Sequence, residues 1–292
     1  MLSSSLFNQQ RLAETPRQTP QLNKPQPVSQ ANPALMQALM LFRSHQLSDL
    51  DKATLMDRVD VKFMLPSAFL PSLLTQLQQY YSVLEIGGQR VSRYYNRYLD
   101  TAHFDFYYSH HNGKLNRFKV RQRSYLDTHS HFLEVKFKNN KKRTIKSRIP
   151  CADLLENQDI THAFMAKHMQ TPLSNLQISQ VSGYQRIALA NEASAERLTL
   201  DFNLWFQADK TSQPLSLSQF FIAELKQFKR SKLSPFYQLM AKNHIYPVSF
   251  SKYCIGCALL YPNQLKTNAF KPTLTLIDKF AAIQSNTFNW VN

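Results

Sequence analysis

The sequence predicts an α+β fold: a closed antiparallel β-barrel of about eight strands that encloses a tunnel, with flanking helices. Charged residues, nearly all cationic, alternate with apolar residues at the two-residue period of a strand throughout Lys114–Arg148. The same alternation recurs in strand-like segments on both sides of this stretch. Rolling such a sheet into a barrel packs its apolar residues outward against helices and places its charges in a wet interior.

The central stretch divides into three predicted strands, each with one polar face. The polar positions of these strands are Arg117, Lys119, Arg121, Arg123, Glu134, Lys136, Lys138, Lys142, Thr144, Lys146 and Arg148. Asn112-Gly113 predicts a tight hairpin before the first strand, and Asn139-Asn140 predicts a reversal between the second and third. Consecutive reversals indicate an antiparallel sheet whose cationic face requires an anionic ligand.

Composition limits the classes of partner and compartment. The 292 residues carry a net charge of +16, which predicts a polyanionic partner. Three cysteines without framework spacing argue against a disulfide-stapled secreted protein, and the Cys254/Cys257 pair supplies only half of a tetrahedral zinc site. We find neither a signal peptide nor the roughly 20 apolar residues of a membrane span. These features predict a cytoplasmic protein; attachment to a membrane partner at the inner face of a membrane stays open.

The N-terminal third contains a predicted tail, two helices and one strand. Residues 1–32 are rich in Gln, Pro, Ser and Asn, which predicts a disordered tail. An apolar stripe after Pro33 predicts a short helix, and Ser67–Tyr81 has helical spacing. Between them, LMDRVDVKFMLP alternates as a strand that places Arg58, Asp60 and Lys62 on one face.

Four further strands are predicted by the same alternation. Their polar positions are Arg93, Tyr95 and Arg97, then Arg186, then Arg197, Thr199 and Asp201, and finally Glu224 and Lys226. Helical patterns cover about Asp153–Met169 and Ser234–His244, and the last patterned element brings Lys252. We therefore predict a main domain over residues 33–272 and a weakly patterned C-terminal extension over residues 273–292.

Eight motifs, in order, resemble the VTC domain, the polyphosphate polymerase branch of the triphosphate tunnel metalloenzyme superfamily. They are RVDVKF, YLDTAHFDFY, HHNGKLNRFKVRQR, FLEVKFKNNKKRTIKSRI, YQRIAL, ERLTLDFNL, AELKQ and FSKYCIG. The resemblance spans about Asp57–Lys271 and implies an Arg- and Lys-lined tunnel in an antiparallel barrel. It also implies transfer of the ATP γ-phosphate onto a growing polyphosphate chain, with a divalent metal, Mn²⁺ or Mg²⁺, as cofactor.

The resemblance assigns expected roles to residues already placed on the polar faces. The expected catalytic residues are Lys62, Arg121, Arg123, Lys136, Lys146, Arg186, Arg197 and Lys252. The expected substrate-binding residues are Arg58, Arg97, Arg117, Lys119, Lys138, Arg148 and Lys226. Glu224, with Glu134, is expected to hold the metal. ATP, polyphosphate, phosphate and pyrophosphate are the expected partners, together with a membrane-protein partner and without nucleic acid.

Other functions stay open at this point. Triphosphate hydrolases of the superfamily resemble an E-x-E-x-K opening strand, whereas this chain has Arg58-x-Asp60-x-Lys62. The missing first acid favours a polymerase, although Asp60 leaves hydrolysis open. A non-catalytic polyphosphate-binding module is the other alternative. Both glutamates can also be salt-bridge partners of neighbouring cations, and Asp201 is more typical of an ion pair with Arg186 or Arg197.

Overall fold

A large antiparallel sheet packed against helices forms the core of the chain in a computed structural model, which describes residues 32–49, 59–141, 143–154, 158–169, 171–209 and 211–284. The strands are β1 (Arg43–His45), β2 (Val59–Pro66), β3 (Ser82–Leu84), β4 (Ser92–Asp100), β5 (Arg117–Tyr125), β6 (Ser130–Lys138), β7 (Thr144–Pro150), β8 (Gln177–Asn191), β9 (Glu196–Gln207), β10 (Leu215–Leu217) and β11 (Phe220–Gln227). The helices are α1 (Pro33–Met40), α2 (Leu70–Leu77), α3 (Asp105–His111), α4 (Gln158–His168), α5 (Pro235–Lys242), α6 (Lys252–Leu260) and α7 (Lys271–Gln284). The predicted tail, except Asn32, lies outside the described residues.

The long strands follow the order β2-β11-β9-β8-β4-β5-β6-β7, and every neighbouring pair on this path is antiparallel. The short strands β1, β3 and β10 attach at the side and bring the sheet to 11 strands. Among the described residues, β7 and β2 do not pair, so the predicted closed barrel is wrong: the sheet is open. Strand alternation does not require closure, because a curved open sheet also separates a charged face from an apolar face.

Three apolar clusters hold the helices against the sheet. The first packs α1, α2 and α5 against β2, β8, β9 and β11. The second packs α3, α4 and α6 against β4, β5 and β6, and the third joins α6 and α7 to β9 and β11. Burial of these apolar side chains supplies the main driving force for folding. Helices α1, α2 and α5 therefore cover the apolar side, as the sequence predicts, whereas α6 lies on the charged side, where Gly256 approaches Gln180 and Lys252 contacts Asp201.

Two local predictions differ from the structure. Asn112-Gly113 does not form a tight hairpin, because α3 lies between β4 and β5, although these strands do pair. The buried Asp100 carboxylate accepts hydrogen bonds from the backbone N–H groups of Phe106 and Tyr107, at 2.9 Å each, and these bonds fix the start of α3. The sequence analysis also missed α7, which buries Ile277 and Phe280.

Gly256 allows α6 to lie directly on the sheet. A Cβ at this position would lie 2.1 Å from Gln180 Oε1 and 2.6 Å from Phe206 Cδ1. We therefore expect Gly256→Ala to push α6 away from β8 and β9 and to cost about 1–3 kcal/mol of unfolding free energy. Urea denaturation measures this cost. An unchanged transition midpoint would contradict the close approach.

No helix among the described residues has both the length and the apolar composition needed to cross a membrane.

Candidate functional site

Most charged side chains of the long strands lie on one face of the sheet. Residues directly opposite each other in an antiparallel ladder point to the same side. From the register, this side carries Lys62, Arg117, Lys119, Arg121, Arg123, Glu134, Lys136, Lys138, Lys146, Arg148, Arg186, Arg197, Asp201, Glu224 and Lys226. We call this side the basic face. Its cations greatly outnumber its carboxylates.

The basic face is concave. This follows from the pKa values of its lysines, which are affected by charged residues far away in the strand order. Lys62 lies on the terminal strand β2, whereas Lys119 and Lys136 lie on β5 and β6. Burial, together with the charges of Lys119 and Lys62, lowers the pKa of Lys136 to about 8. Burial also lowers the pKa of Lys119, and Lys62 adds to that effect. Thus the two ends of the open sheet curve toward a shared space.

Glu224 lies between two lysines on the β2–β11 side of the basic face. Its Oε1 is 2.9 Å from Lys62 Nζ, and its Oε2 is 3.2 Å from Lys226 Nζ. Burial disfavours the Glu224 carboxylate, but Lys226 and Lys62 outweigh this effect and hold its pKa well below the usual range. The carboxylate is therefore ionised and able to act as an oxygen ligand.

Asp201 joins β9 to β8 and to the start of α6. Its carboxylate accepts two hydrogen bonds from Arg186, at 2.5 Å from Nε and 2.8 Å from Nη2. Lys252 Nζ donates to the same carboxylate. Lys252 also lies over the Tyr184 ring, 4.4 Å from its centroid. Asp201 is thus an ion-pair partner of Arg186, as the sequence indicates, and it brings the helical Lys252 to the strands.

Glu134 is the most enclosed carboxylate of the β5–β7 side, with 2% of its side chain exposed. Its Oε2 lies 2.6 Å from Arg121 Nη2, and its Oε1 lies 2.7 Å from Lys146 Nζ. Burial raises its pKa, but Arg121 and the other neighbouring cations overcome this and bring it to about 2. Burial in turn lowers the pKa of Lys146 to about 8.

Polar and aromatic residues of β4 and β8 position one of the predicted arginines. Arg123 donates to Asn96 Oδ1 at 3.0 Å and to the Tyr184 hydroxyl at 2.9 Å. The Tyr94 ring stacks on Tyr184 with centroids 4.9 Å apart, and the Arg186 guanidinium lies 5.0 Å from the Tyr94 centroid. Sequence reasoning assigned Tyr94 and Asn96 to the apolar side. The sequence signal that could have shown this is Asn96 itself. It is a polar residue on the same face of β4 as Tyr94, and a polar residue argues against an apolar face.

The comparisons with known proteins identify the family. A family model described as the VTC domain matches residues 57–261. The chain belongs to the VTC-domain family. This membership supports a function in polyphosphate or triphosphate chemistry, which suits a concave face rich in Arg and Lys. No curated protein matches the sequence significantly.

Several solved structures resemble this VTC domain over most of their own length. A candidate adenylyl cyclase from Hippeastrum, described as revealing a dominant triphosphatase activity, has 13% identity and a TM-score of 0.44, covering 68% of this chain and 94% of its own. A candidate adenylate cyclase from Bacillus halodurans has 14% identity and a TM-score of 0.42, with coverages of 67% and 94%. One from Vibrio parahaemolyticus has 13% identity and a TM-score of 0.41, with coverages of 68% and 96%. The family assignment rests on the sequence match alone.

Most of the predicted site residues of this VTC domain lie together on the basic face, but Arg97 does not. Arg97 lies directly opposite Gln122 in the β4–β5 ladder and donates to its Oε1 at 3.3 Å. Gln122 alternates with Arg121 along β5, so the placement of Arg97 on the polar face is wrong. The alternation of β4 misled because Tyr94 and Tyr98, rather than the arginines, face the charged side. Arg58 lies outside the described residues.

The acidic groups of this VTC domain offer a metal few protein ligands. The described residues contain no group of three or more His, Cys, Asp or Glu side chains that could hold a metal ion. Glu134 fits a metal poorly, because Arg121 and Lys146 engage its two oxygens in an enclosed site. Glu224 fits better: its side chain is 17% exposed and faces the shared space of the basic face. Magnesium-like ions are commonly held by one or two carboxylates plus substrate phosphates, so a single glutamate can suffice.

Proposed function

We propose that this VTC domain is a polyphosphate polymerase that transfers the ATP γ-phosphate onto a growing polyphosphate chain on the basic face. The observation that carries the proposal is the concave row of Arg and Lys contributed by seven of the long strands, β2, β5, β6, β7, β8, β9 and β11. A linear phosphate chain matches such a surface, since each phosphate brings negative charge to neighbouring cations. Binding would also relieve the repulsion among the crowded lysines.

Phosphoryl transfer depends mainly on positioning and on charge placed at the nonbridging oxygens. Arg121, Arg123 and Arg186 are held by neighbouring side chains, so their guanidinium groups are preorganised for phosphate oxygens. Lys62, Lys136 and Lys146 contribute compact charges from the two ends of the curved face. The attacking group is a terminal phosphate oxygen of the acceptor chain, and the ADP β-phosphate oxygen leaves. Because the attacking oxygen is already ionised, the reaction requires no general base.

The expected divalent ion fits Glu224 rather than Glu134. Glu224 would hold the Mn²⁺ or Mg²⁺ ion, and the ion would supply positive charge that favours phosphoryl transfer. Lys62 and Lys226 already contact the Glu224 oxygens, so these lysines would turn toward phosphate when the carboxylate binds the ion. Glu134 instead positions Arg121 and Lys146.

A triphosphate hydrolase is the second candidate, favoured by the acidic residue on the opening strand. Asp60 lies directly opposite Lys226 in the β2–β11 ladder and adds to the raised pKa of Lys62. A hydrolase must also place a water molecule for attack, and the carboxylates of Glu134, Asp201 and Glu224 all contact cations. This arrangement supports transfer between phosphates over activation of water.

The test is to incubate the purified protein with ATP and Mn²⁺ and to separate the products by gel electrophoresis. We expect chains that an exopolyphosphatase degrades, with ADP formed in step. Release of phosphate or pyrophosphate without chains would support the hydrolase. Polyphosphate binding without turnover, across a range of metals and primers, would support the non-catalytic module.

Polyphosphate binding should weaken as the pH rises from 7 to 9. Lys136 and Lys146 both have a pKa lowered to about 8 by burial, so each loses positive charge within this interval. Bound phosphate shifts these pKa values upward again, which couples binding to proton uptake. Fluorescence anisotropy with labelled polyphosphate measures the affinity at each pH.

The matched variant is Lys136→Arg/Lys146→Arg, because arginine keeps its charge throughout this pH range. We expect its affinity to change much less between pH 7 and 9 than that of the wild type. Equal pH dependence in both proteins would assign the titration to other groups.

A further inference from the structure

A six-residue loop beyond the basic face combines exposed apolar and cationic side chains. Residues 228–233, with the sequence FKRSKL, connect β11 to α5. Phe228 is 70% exposed and Leu233 is 80% exposed, and the side chains of Lys229, Arg230 and Lys232 are also exposed. Single exposed apolar residues are ordinary on protein surfaces. Here two exposed apolar residues flank three cations within six residues, which is a more specific pattern.

The loop is held by a buried hydrogen-bond network. The Gln227 side chain donates to Glu196 Oε2 at 2.9 Å, and the Ser234 hydroxyl donates to Glu196 Oε1 at 3.0 Å. Between these ends, Ser231 N–H donates to Gln227 Oε1 at 3.2 Å, and Leu233 N–H donates to Ser231 Oγ at 3.1 Å. Both ends of the loop are thus tied to one buried carboxylate. The exposed side chains are presented by an ordered backbone, which lowers the entropic cost of binding.

Another exposed apolar residue lies at the same end of the β2–β11 pair, and a further one lies in a segment that contacts β2. Val59 is directly opposite Gln227, the last residue before the loop, and is 42% exposed. Val248 N–H donates to the Lys62 carbonyl at 2.7 Å, which brings the segment after α5 alongside β2. In that segment, Tyr246 is 72% exposed. Val59 therefore adds exposed apolar surface next to the loop.

The charge of this region selects the kind of partner. The sequence contains no Asp or Glu between Glu224 and Asp278, so the loop and α5 carry only positive charges. Apolar side chains that enter the headgroup region, flanked by Lys and Arg, are typical of surfaces that bind anionic membranes. We propose that residues 228–233 dock the protein on an anionic lipid bilayer, with Phe228 and Leu233 entering the interface and the cations contacting lipid phosphates. This docking would place the β2–β11 end of the basic face close to the membrane.

Vesicle sedimentation tests the proposal on the full-length protein. We expect binding to vesicles of phosphatidylcholine with about 30% phosphatidylserine, and little binding to phosphatidylcholine alone. Phe228→Ser/Leu233→Ser should weaken binding by about tenfold or more. Lys229→Gln/Lys232→Gln should weaken it by about fivefold per charge removed. The matched control is Leu115→Ser/Ile160→Ser, which removes two comparably exposed apolar side chains elsewhere.

A second measurement separates the loop from the basic face, which could itself attract anionic lipids. Phe228→Trp should give an emission shift to shorter wavelength with phosphatidylserine vesicles, beyond any change in the wild type, and added polyphosphate should leave this shift in place. Absence of vesicle binding by the wild type would overturn the proposal. So would equal binding by the apolar double variant and its control. Loop-dependent binding to polyglutamate without vesicle binding would assign the surface to an acidic protein and also overturn it.

Discussion

Glu224→Gln should reduce ATP-dependent polyphosphate synthesis by about 10²–10³-fold, the range for loss of one group that stabilises transition-state charge. The variant keeps the shape of the side chain but removes the anionic oxygen that we assign to the metal. It also leaves Lys62 and Lys226 without their carboxylate partner, at 2.9 and 3.2 Å. The basic face becomes more positive. We therefore expect polyphosphate to bind at least as tightly as in the wild type while synthesis falls.

This separation of binding from turnover distinguishes the two roles open to Glu224. If Glu224 only neutralises lysines, the variant should change affinity and leave the rate nearly intact. Glu192→Gln is the matched control, because Glu192 is exposed in the turn between β8 and β9. Synthesis is measured from labelled ATP over a range of Mn²⁺ concentrations. If Glu224→Gln synthesised polyphosphate at the wild-type rate at saturating Mn²⁺, Glu224 would be excluded as a metal ligand.

The sequence predicts the charged face well because strand alternation is a local property. Once β5 and β6 are recognised, the side chains of Arg121 and Glu134 follow from their position along each strand, and the register confirms the shared face. Family membership is likewise carried by linear motifs. The alternation of β4 failed for a physical reason: a tyrosine can face either apolar core or charged groups, since its ring packs and its hydroxyl donates. Tyr98 illustrates this, because its ring stacks on Tyr253 while its hydroxyl accepts from Arg121 at 3.3 Å.

Closure of the sheet was harder to predict, because it depends on interactions between strands that are distant in the sequence rather than on the local residue pattern. Alternation requires that both faces be occupied, and a strongly curved open sheet satisfies this as well as a barrel does. Lys62 and Lys136, at opposite sides of the curved face, then remain under mutual repulsion. The contact of Lys252 with Asp201 was also beyond the sequence analysis, since it depends on how α6 docks on β8 and β9.

Asp201→Asn should produce the largest loss of stability on the basic face. The Asp201 side chain is only 2% exposed, and it contacts both Arg186 and Lys252, whose side chains are 15% and 14% exposed. Removing one partner of a buried ion pair leaves uncompensated charge and typically costs about 3–5 kcal/mol. For a domain of this size, such a loss corresponds to a decrease in Tm of about 10 °C. Asp278→Asn, at an exposed position on α7, is the matched control.

The acid limb of the stability curve gives an independent test of the same carboxylate. Burial opposes the charge on Asp201, but Arg186 and Lys252 hold its pKa well below the usual range. The unfolded chain therefore takes up a proton near pH 4 that the native Asp201 resists, so this contribution is present above pH 4 and is lost as the pH falls further. Asp201→Asn should make the unfolding free energy less dependent on pH below about 4. Added pyrophosphate should restore stability to the variant more than to the wild type, because an anion can replace the missing carboxylate between Arg186 and Lys252. Equal pyrophosphate effects in both proteins would show that these two cations are not accessible to phosphate ligands.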